Sequence, residues 1–321
     1  MEVKARAKPL KVEFCEALLI RINRNHPKIP QILSDKGKKE AGYIGEKKLD
    51  FFLSNLPEKE YFLFHDLRLP NGKSYFQIDT LLLTYTFGLI IEAKYMTGEL
   101  EFDEKNNQLI QRNDDIEKCY DDPLLQAKFQ VRQLKAFLKQ HKFPNIPFEF
   151  LVMMSHSNAL LITEQGSEAR LRVCRSSKVL LRIEEFSRKY KVKVLDQDKI
   201  RKISRLLIKK HTEPTFNCEE LYRISRSELQ TGVHCPKCRY LGVIYHQGSW
   251  RCPKCGCKSR DAHLAALRHY YLLFGPTITN QQFREFLGIE SSNIASKLLK
   301  KLNLPHSDAN KNRIYYLKHL Q

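Results

Sequence analysis

The chain has 321 residues, of which 42% are apolar, so it is long enough for two or three domains with packed cores. It carries 55 Lys and Arg against 36 Asp and Glu, and the net charge of +19 favours a polyanionic partner. Nucleic acid is the first candidate and an anionic membrane surface the second. No run of about eighteen apolar residues predicts a membrane span, and the first residues lack the apolar core of a signal peptide, so we expect a cytoplasmic protein.

The first part of the chain reads as a basic lead-in, a helix and a strand. Residues 1–35 contain three prolines and are predicted to form a basic, loosely packed N-terminal extension. A helix is expected near 38–56, where Pro57 ends it. The apolar and aromatic residues of 61–67 then predict a strand.

Two apolar strands joined by a tight turn are predicted in the segment QIDTLLLTYTFGLIIEAKYMTGEL. Glu92 and Lys94 are two residues apart on the second strand and therefore project from one face. In a hairpin, Asp79 approaches them from the first strand. Charged groups inside a sheet are costly unless they are paired or bind a metal, and this set suits metal-assisted phosphodiester hydrolysis. The alternative is an ion pair between Glu92 and Lys94 at the surface.

This pattern resembles the PD-(D/E)xK nuclease superfamily, and specifically its nuclease-related domain (NERD) branch, over about residues 38–160. The sequence departs from the superfamily at one point, because Gln-Ile precedes Asp79 in place of the proline of the name. The resemblance implies an α/β fold with a restriction-endonuclease-like mixed sheet flanked by helices. It also implies that Asp79 and Glu92 bind Mg²⁺ or Mn²⁺ and that Lys94 is the catalytic lysine.

The same resemblance assigns roles to three further polar residues. Glu46 matches the acidic residue on the first helix, and it shares a helix face with Leu49, so we expect it to face inward. Gln126 or Gln130, on a helix expected over 123–141, would be the glutamine of the helix after the core strands. The alternatives are an exposed glutamate and a solvated polar stripe.

Cysteine spacing predicts a structural zinc site in a small zinc ribbon at 233–258. Two CPKC pairs are separated by thirteen residues, and each pair can present two thiolates from a tight turn. The four predicted ligands are Cys235, Cys238, Cys252 and Cys255. Cys257 is an alternative fourth ligand, and His234 and His246 are less favoured ones. A region this small would obtain much of its folding free energy from the metal.

The last segment, 259–321, has the element order of a winged helix. Three predicted helices precede a turn in DANKNR and an apolar strand, and residues 258–321 hold ten Lys and Arg against four Asp and Glu. This basic surplus favours contact with DNA phosphates, whereas the alternative is a protein-interaction module. The residues expected to contact DNA are Ser292, Asn293, Ser296, Lys297, Lys300, Lys301 and Arg313.

The combined prediction is a Mg²⁺-dependent deoxyribonuclease, an endonuclease, that a zinc ribbon and a winged helix deliver to DNA. The predicted segments are the extension at 1–35, the nuclease-like domain at 36–211, a linker at 212–232, the ribbon at 233–258 and the winged-helix-like domain at 259–321. A non-catalytic DNA-binding or regulatory protein and an RNA-processing nuclease are the alternatives. A homodimer or a helicase-type partner is compatible with each of them.

Overall fold

The computed structural model describes residues 1–307 and 313–319, and the chain divides into two compact units. The first unit combines Met1–Lys8 with Lys39–Pro214, and the second combines Pro9–Lys38 with the chain from Thr215 onward. The predicted extension at 1–35 is therefore divided between the units. Its first residues belong with the nuclease-like segment and the others with the C-terminal part.

The secondary structure follows in chain order. The helices are α1 (Leu10–Arg21), α2 (Ile29–Leu53), α3 (Pro123–Gln140), α4 (Glu168–Arg172), α5 (Val179–Lys189), α6 (Gln197–Lys210), α7 (Cys218–Tyr222), α8 (Ala262–Phe274), α9 (Asn280–Leu287) and α10 (Ser292–Lys301). The strands are β1 (Glu2–Lys4), β2 (Phe62–Asn71), β3 (Ser74–Leu83), β4 (Gly88–Lys94), β5 (Gly98–Asp103), β6 (Gln108–Asn113), β7 (Ile116–Asp121), β8 (Phe148–Met154), β9 (Ala159–Ile162), β10 (Val173–Arg175), β11 (Ile244–His246), β12 (Ser249–Arg251), β13 (Lys258–Ser259), β14 (Thr277–Thr279) and β15 (Ile314–Tyr316).

A six-stranded mixed sheet forms the centre of the first unit, with the strand order β1-β2-β3-β4-β8-β10. The strands β2, β3 and β4 pair antiparallel as a meander, whereas β1, β8 and β10 join their neighbours in parallel. Every residue of β8 is buried, as expected for a central strand that is covered on both faces. The mixed α/β architecture that the sequence predicts is present.

Helices cover both faces of this sheet. On one face, α3 and α6 contribute to a core that includes Ile90 and Val152. On the other face, Leu49 of α2 and Ile183 of α5 pack in a core with Ile91. Neighbouring residues of β4 thus enter opposite cores, which follows from the two-residue period of a strand. Glu92 and Lys94 share the side of Ile90 and lie beneath α3.

Helix starts follow local sequence signals. Asp122 caps α3 by accepting a hydrogen bond from the Leu124 amide at 2.8 Å, and Pro123 occupies the first helical position. Thr279 and Gln282 form a capping box at the start of α9, and Ser291 caps α10. The first residues of these three helices are therefore determined by side chains next to them in the sequence.

A second sheet in the first unit has the strand order β7-β6-β5-β9. Residues 103–121 read as a polar segment in the sequence, yet β6 and β7 form a regular antiparallel pair there. All six residues of β7 are exposed, so this strand has no apolar alternation that would reveal it.

The second unit contains α1, α7, the helices α8 to α10, and two small sheets formed by β11-β12-β13 and β14-β15. Trp250 of β12 is 1% exposed, stacks on His263 and donates a hydrogen bond to its ring nitrogen at 3.0 Å. The turn predicted in DANKNR lies, apart from Arg313, outside the described residues. None of the helices in the described part of the chain combines the length and apolarity that a membrane span requires.

Candidate active site

Glu92 and Lys94 of β4 meet both glutamines of α3. The Lys94 ammonium donates to Glu92 Oε1 at 2.7 Å and to Gln126 Oε1 at 2.8 Å. Gln130 donates from Nε2 to the other Glu92 oxygen at 2.8 Å. Glu92 is 2% exposed, so these contacts hold a carboxylate that is almost withdrawn from water. The sequence left Gln126 and Gln130 as alternatives, and the structure brings both to the same two charged residues.

Asp79 joins this cluster from the neighbouring strand. Its Oδ2 accepts a hydrogen bond from the Ala93 amide at 3.2 Å, between Glu92 and Lys94. The regular pairing of β3 with β4 ends at Thr80 and Ile91, so Asp79 is the next residue beyond the ladder. The hairpin spacing thus places the two acids and the lysine at one edge of the meander.

Burial and mutual repulsion disfavour ionisation of two carboxyl groups in this region. Burial first, and next the charge of Asp79, raise the pKa of Glu92 to about 7. The same two causes, in the same order, raise the pKa of Glu46 to about 7. Lys94 opposes the shift of Glu92, and Lys39 and Arg6 oppose that of Glu46, without cancelling either. The site therefore holds more negative charge than its own cations compensate.

Arg6 binds the acidic residues around the candidate site, and the sequence contains no pattern that would identify it. Its guanidinium donates to Glu46 at 2.9 Å, to Asp66 at 3.1 Å and to both oxygens of Asp50 at 2.8 and 3.1 Å. It also reaches the backbone carbonyl of Asp79 at 3.3 Å. The side chain is 2% exposed. A single arginine in a basic lead-in resembles many solvated residues, so only the pairing of β1 with β2 reveals its position.

The side-chain alternation of β2 and β3 shifts by one residue beside this arginine. Phe64 and Leu67 of β2 face the same core, although residues three apart on a regular strand face opposite sides. Asp66 lies at the shift with a φ of 51°, a left-handed conformation that Asp tolerates better than most residues. Asp66 stands opposite Asp79, so the irregularity coincides with the acids that Arg6 contacts.

Glu46 reaches the site because α2 packs tightly against the ends of β4 and β8. A Cβ atom at Gly45 would collide with the Ser155 hydroxyl and lie 3.1 Å from the Cβ of Tyr95. Ser155 in turn donates to the Lys94 carbonyl from its amide and its hydroxyl. Glycine is therefore required at position 45 by this close approach. Leu49, one turn further along α2, is fully buried, and Glu46 itself is 4% exposed.

The residues present suit a divalent cation. Asp79 and Glu92 offer oxygen ligands and uncompensated negative charge, which Mg²⁺ and Mn²⁺ prefer. The buried Oε1 of Gln130 has no hydrogen-bond donor among the described residues, so an acceptor beside Glu92 is left to be satisfied by a water or a cation. Glu46 is less suited as a ligand because Arg6 occupies one of its oxygens. Within the described chain, no compact group of three or more potential ligands forms here.

Residues 41–155 match the family model of the nuclease-related domain (NERD). The matched segment contains Glu46, Asp79, Glu92, Lys94 and both glutamines, but not Arg6. No curated protein and no solved structure matches the chain. The match connects the geometry described above with a nuclease-related function for this segment, and it says nothing of the regions on either side.

A four-cysteine cluster lies outside the nuclease-related domain, in the second unit. The sulfur atoms of Cys235, Cys238, Cys252 and Cys255 all lie within 4.8 Å of one another. Two of their separations are 3.6 Å, close to the edge of about 3.8 Å expected for four thiolates around a zinc ion. The cluster could bind zinc and is compatible with a zinc ribbon. Cys257, His234 and His246 do not belong to it.

The candidate DNA-contacting residues on α10 are exposed, but two of them have partners within the unit. Asn280 of α9 donates to the Ser296 hydroxyl at 2.9 Å and accepts from the Ser292 hydroxyl at 3.3 Å. The other candidates on α10 are also exposed, namely Asn293, Lys297, Lys300 and Lys301. Arg313 is half-buried and directly precedes β15.

Replacing Glu92 should change the pH dependence of stability in EDTA. Because the pKa of Glu92 is raised above its unfolded value, ionisation costs free energy as pH rises from about 5 to about 8. The free energy of unfolding of the wild type should therefore fall relative to Glu92→Gln, by at most about 1.4 kcal/mol per pH unit. Urea denaturation at several pH values measures this difference. The contributions of groups that titrate in both proteins cancel in this difference. If the free energies of unfolding of the two proteins changed with pH in parallel, Glu92 would be ionised over the whole pH range and the expectation would be wrong.

Removing Arg6 should destabilise the first unit. Arg6→Met leaves Glu46, Asp50 and Asp66 without their shared cation, and breaking such a buried pair costs about 3–5 kcal/mol. Arg6→Lys should restore only part of the loss, because an ammonium cannot reproduce the planar fork. Arg170→Met, at an exposed arginine of the same unit, is the control and should change stability by less than about 0.5 kcal/mol. Equal urea midpoints for Arg6→Met and Arg170→Met would contradict the structural role.

Loss of zinc should be visible through Trp250, the single tryptophan. It packs in one core with Cys235 and Cys252, so Cys235→Ser combined with Cys238→Ser should remove bound zinc and shift the tryptophan emission to longer wavelength. Elemental analysis and fluorescence measure the two effects. Cys119→Ser, at an exposed cysteine, is the control. Full zinc stoichiometry in the double variant would contradict the ligand assignment, and loss of zinc in Cys257→Ser would indicate that Cys257 is a ligand.

Proposed function

We propose that the protein is a metal-dependent nuclease that hydrolyses phosphodiester bonds of DNA. The observation that carries the proposal is the contact of Lys94 with both Glu92 and Gln126, beside Asp79 and within a segment that matches the nuclease-related domain. These contacts put an ammonium, two carboxylates and two amides at one edge of the sheet. The alternative of a surface ion pair does not account for the burial of Glu92.

Each residue has a distinct chemical task in this proposal. Asp79 and Glu92 would hold Mg²⁺ or Mn²⁺, which when bound polarises a phosphodiester and lowers the pKa of a water. Two of the three N–H donors of Lys94 are used by Glu92 and Gln126, which aims the ammonium and leaves a donor for water or a phosphate oxygen. Gln130 fixes the orientation of Glu92. Hydrolysis adds water across one P–O bond, and the cation of Lys94 offsets negative charge that develops there.

The C-terminal unit would deliver this site to DNA. Its four-cysteine cluster would hold zinc with no open position and would therefore be structural. The region of α8 to α10 and the antiparallel pair β14-β15 would form a winged helix that contacts DNA. Lys297, Lys300 and Lys301 of α10 are exposed and would contact phosphates.

Plasmid cleavage tests the proposal. Purified wild type should nick supercoiled plasmid with Mn²⁺ or Mg²⁺ but not with EDTA, and Lys94→Ala should lower the rate about 100-fold or more. Lys73→Ala, at an exposed lysine in the β2–β3 turn, should cleave at the wild-type rate. Circular dichroism should show that both variants are folded.

The outcomes of this experiment separate the alternatives. Cleavage by Lys94→Ala at the rate of Lys73→Ala would contradict the role of the lysine. Tight DNA binding without metal-dependent cleavage by the wild type would instead favour a non-catalytic DNA-binding protein.

A further inference from the structure

Two helices of the first unit carry a large share of the positive charge. Helix α3 contains four Lys and Arg and no acidic residue, and α6 contains six Lys and Arg and one Asp. Together these 18 and 14 residues hold nine net positive charges, whereas the whole chain has a net charge of +19. Almost half of the excess charge is thus concentrated on two helices, and both lie outside the C-terminal unit.

Most of these charges have no acidic partner. Lys128 pairs with Glu168, and Lys199 and Arg201 pair with aspartates at the start of α6. Seven others are exposed and form no ion pair with a described residue: Lys210 at the end of α6 and the six residues Arg132, Lys135, Lys139, Lys202, Arg205 and Lys209. Helix α5, on the opposite face of the same sheet, differs, because its Arg182 and Arg188 each pair with a glutamate. Seven of the ten basic residues on α3 and α6 thus lack an acidic partner in the described part of the chain, whereas both arginines of α5 have one.

The spacing aligns these residues into one row on each helix. Arg132, Lys135 and Lys139 follow one another at i, i+3 and i+7, opposite the buried side of α3. Residues 202, 205 and 209 repeat that spacing on α6, opposite its buried Ile203 and Leu207. Like charges at such spacing repel one another and weaken an isolated helix. The negative charges of a polyanion bound along the rows would attract these side chains and offset the repulsion among them.

The rows are connected to the candidate active site through α3. Gln126 and Gln130 lie in the first half of this helix and bind Lys94 and Glu92, and Arg132 is less than one turn beyond Gln130. Both α3 and α6 pack on the sheet face from which Glu92 and Lys94 project. The row lies on the opposite side of α3 from these two amides, so phosphates bound along it would anchor DNA near the candidate site without passing over Lys94 and Glu92.

We propose that the outer face of α3 and α6, defined by the six unpaired residues above, is a second DNA-binding surface that contacts the phosphate backbone of duplex DNA independently of sequence. This proposal rests on the proposed function, since it names a surface that anchors DNA on the domain that carries the nuclease site. Exposed guanidinium and ammonium groups in rows are the groups that phosphate contacts use. The surface would act in addition to the contacts proposed for α10.

The test is the salt dependence of DNA binding by the full chain in EDTA, where no cleavage occurs. Fluorescence anisotropy with a labelled 20-base-pair duplex compares three charge-matched triple variants. The α3 variant combines Arg132→Gln, Lys135→Gln and Lys139→Gln, and the α6 variant combines Lys202→Gln, Arg205→Gln and Lys209→Gln. The control combines Lys59→Gln, Lys73→Gln and Lys105→Gln, three exposed lysines in loops of the same unit. Unfolding midpoints verify that each variant is folded.

The α3 and α6 variants should bind more weakly, and the slope of log K against log salt should fall by about 0.9 for each lost phosphate contact. The control should keep the wild-type slope, although its net charge is equally reduced. Equal slopes of log K against log salt for all three variants would overturn the proposal that this surface binds DNA. A further variant combines Lys297→Gln, Lys300→Gln and Lys301→Gln on α10. If only this variant lowers the slope, the α3 and α6 surface does not bind DNA, while the proposed function stands. Absence of salt-dependent binding by the wild type would overturn both, and preference for an RNA duplex would overturn the assignment of DNA.

Discussion

The contact on which the candidate site depends is the buried guanidinium of Arg6. It ties the acidic residues of α2 to the meander of β2 and β3, because it binds Glu46 and Asp50 on the helix, Asp66 on β2 and the carbonyl of Asp79 on β3. A fixed fork of donors orients several carboxylates at once, which an ammonium cannot do. The helix and the strands that carry the acids are thereby held together by one residue from the start of the chain.

Electrostatic imbalance is the second property of the site. Asp79 raises the pKa of two buried glutamates, after the larger effect of burial, and the available cations do not compensate. Such a cluster is poorly suited to stability without a ligand and well suited to a divalent cation, whose binding removes the repulsion. The two glutamates have different partners: Arg6 donates to Glu46, whereas Glu92 accepts from Lys94 and Gln130 and lies beside Asp79.

Helix α3 contributes both to the candidate site and to the exposed basic surface. Its inner side provides the amides that orient Lys94 and Glu92, and its outer side carries basic residues without acidic partners. The two sides belong to one rigid helix, so this helix would fix the position of the candidate catalytic residues relative to a bound phosphate backbone. In the proposed nuclease, the C-terminal unit would then add affinity and targeting to a domain that already contacts DNA.

The sequence by itself determined the features that depend on neighbours along the chain. Strand periodicity and a hairpin placed Asp79, Glu92 and Lys94 together, cysteine spacing predicted the four-sulfur cluster, and Asp122 marked the start of α3. The tertiary structure alone decided that Arg6 enters the site, that Gln126 and Gln130 both contact the pair of Glu92 and Lys94, and that six exposed residues form β7. The physical reason is range. Patterns record contacts between residues a few positions apart, whereas Arg6 and Glu46 are separated by 40 positions and meet only because β1 pairs with β2.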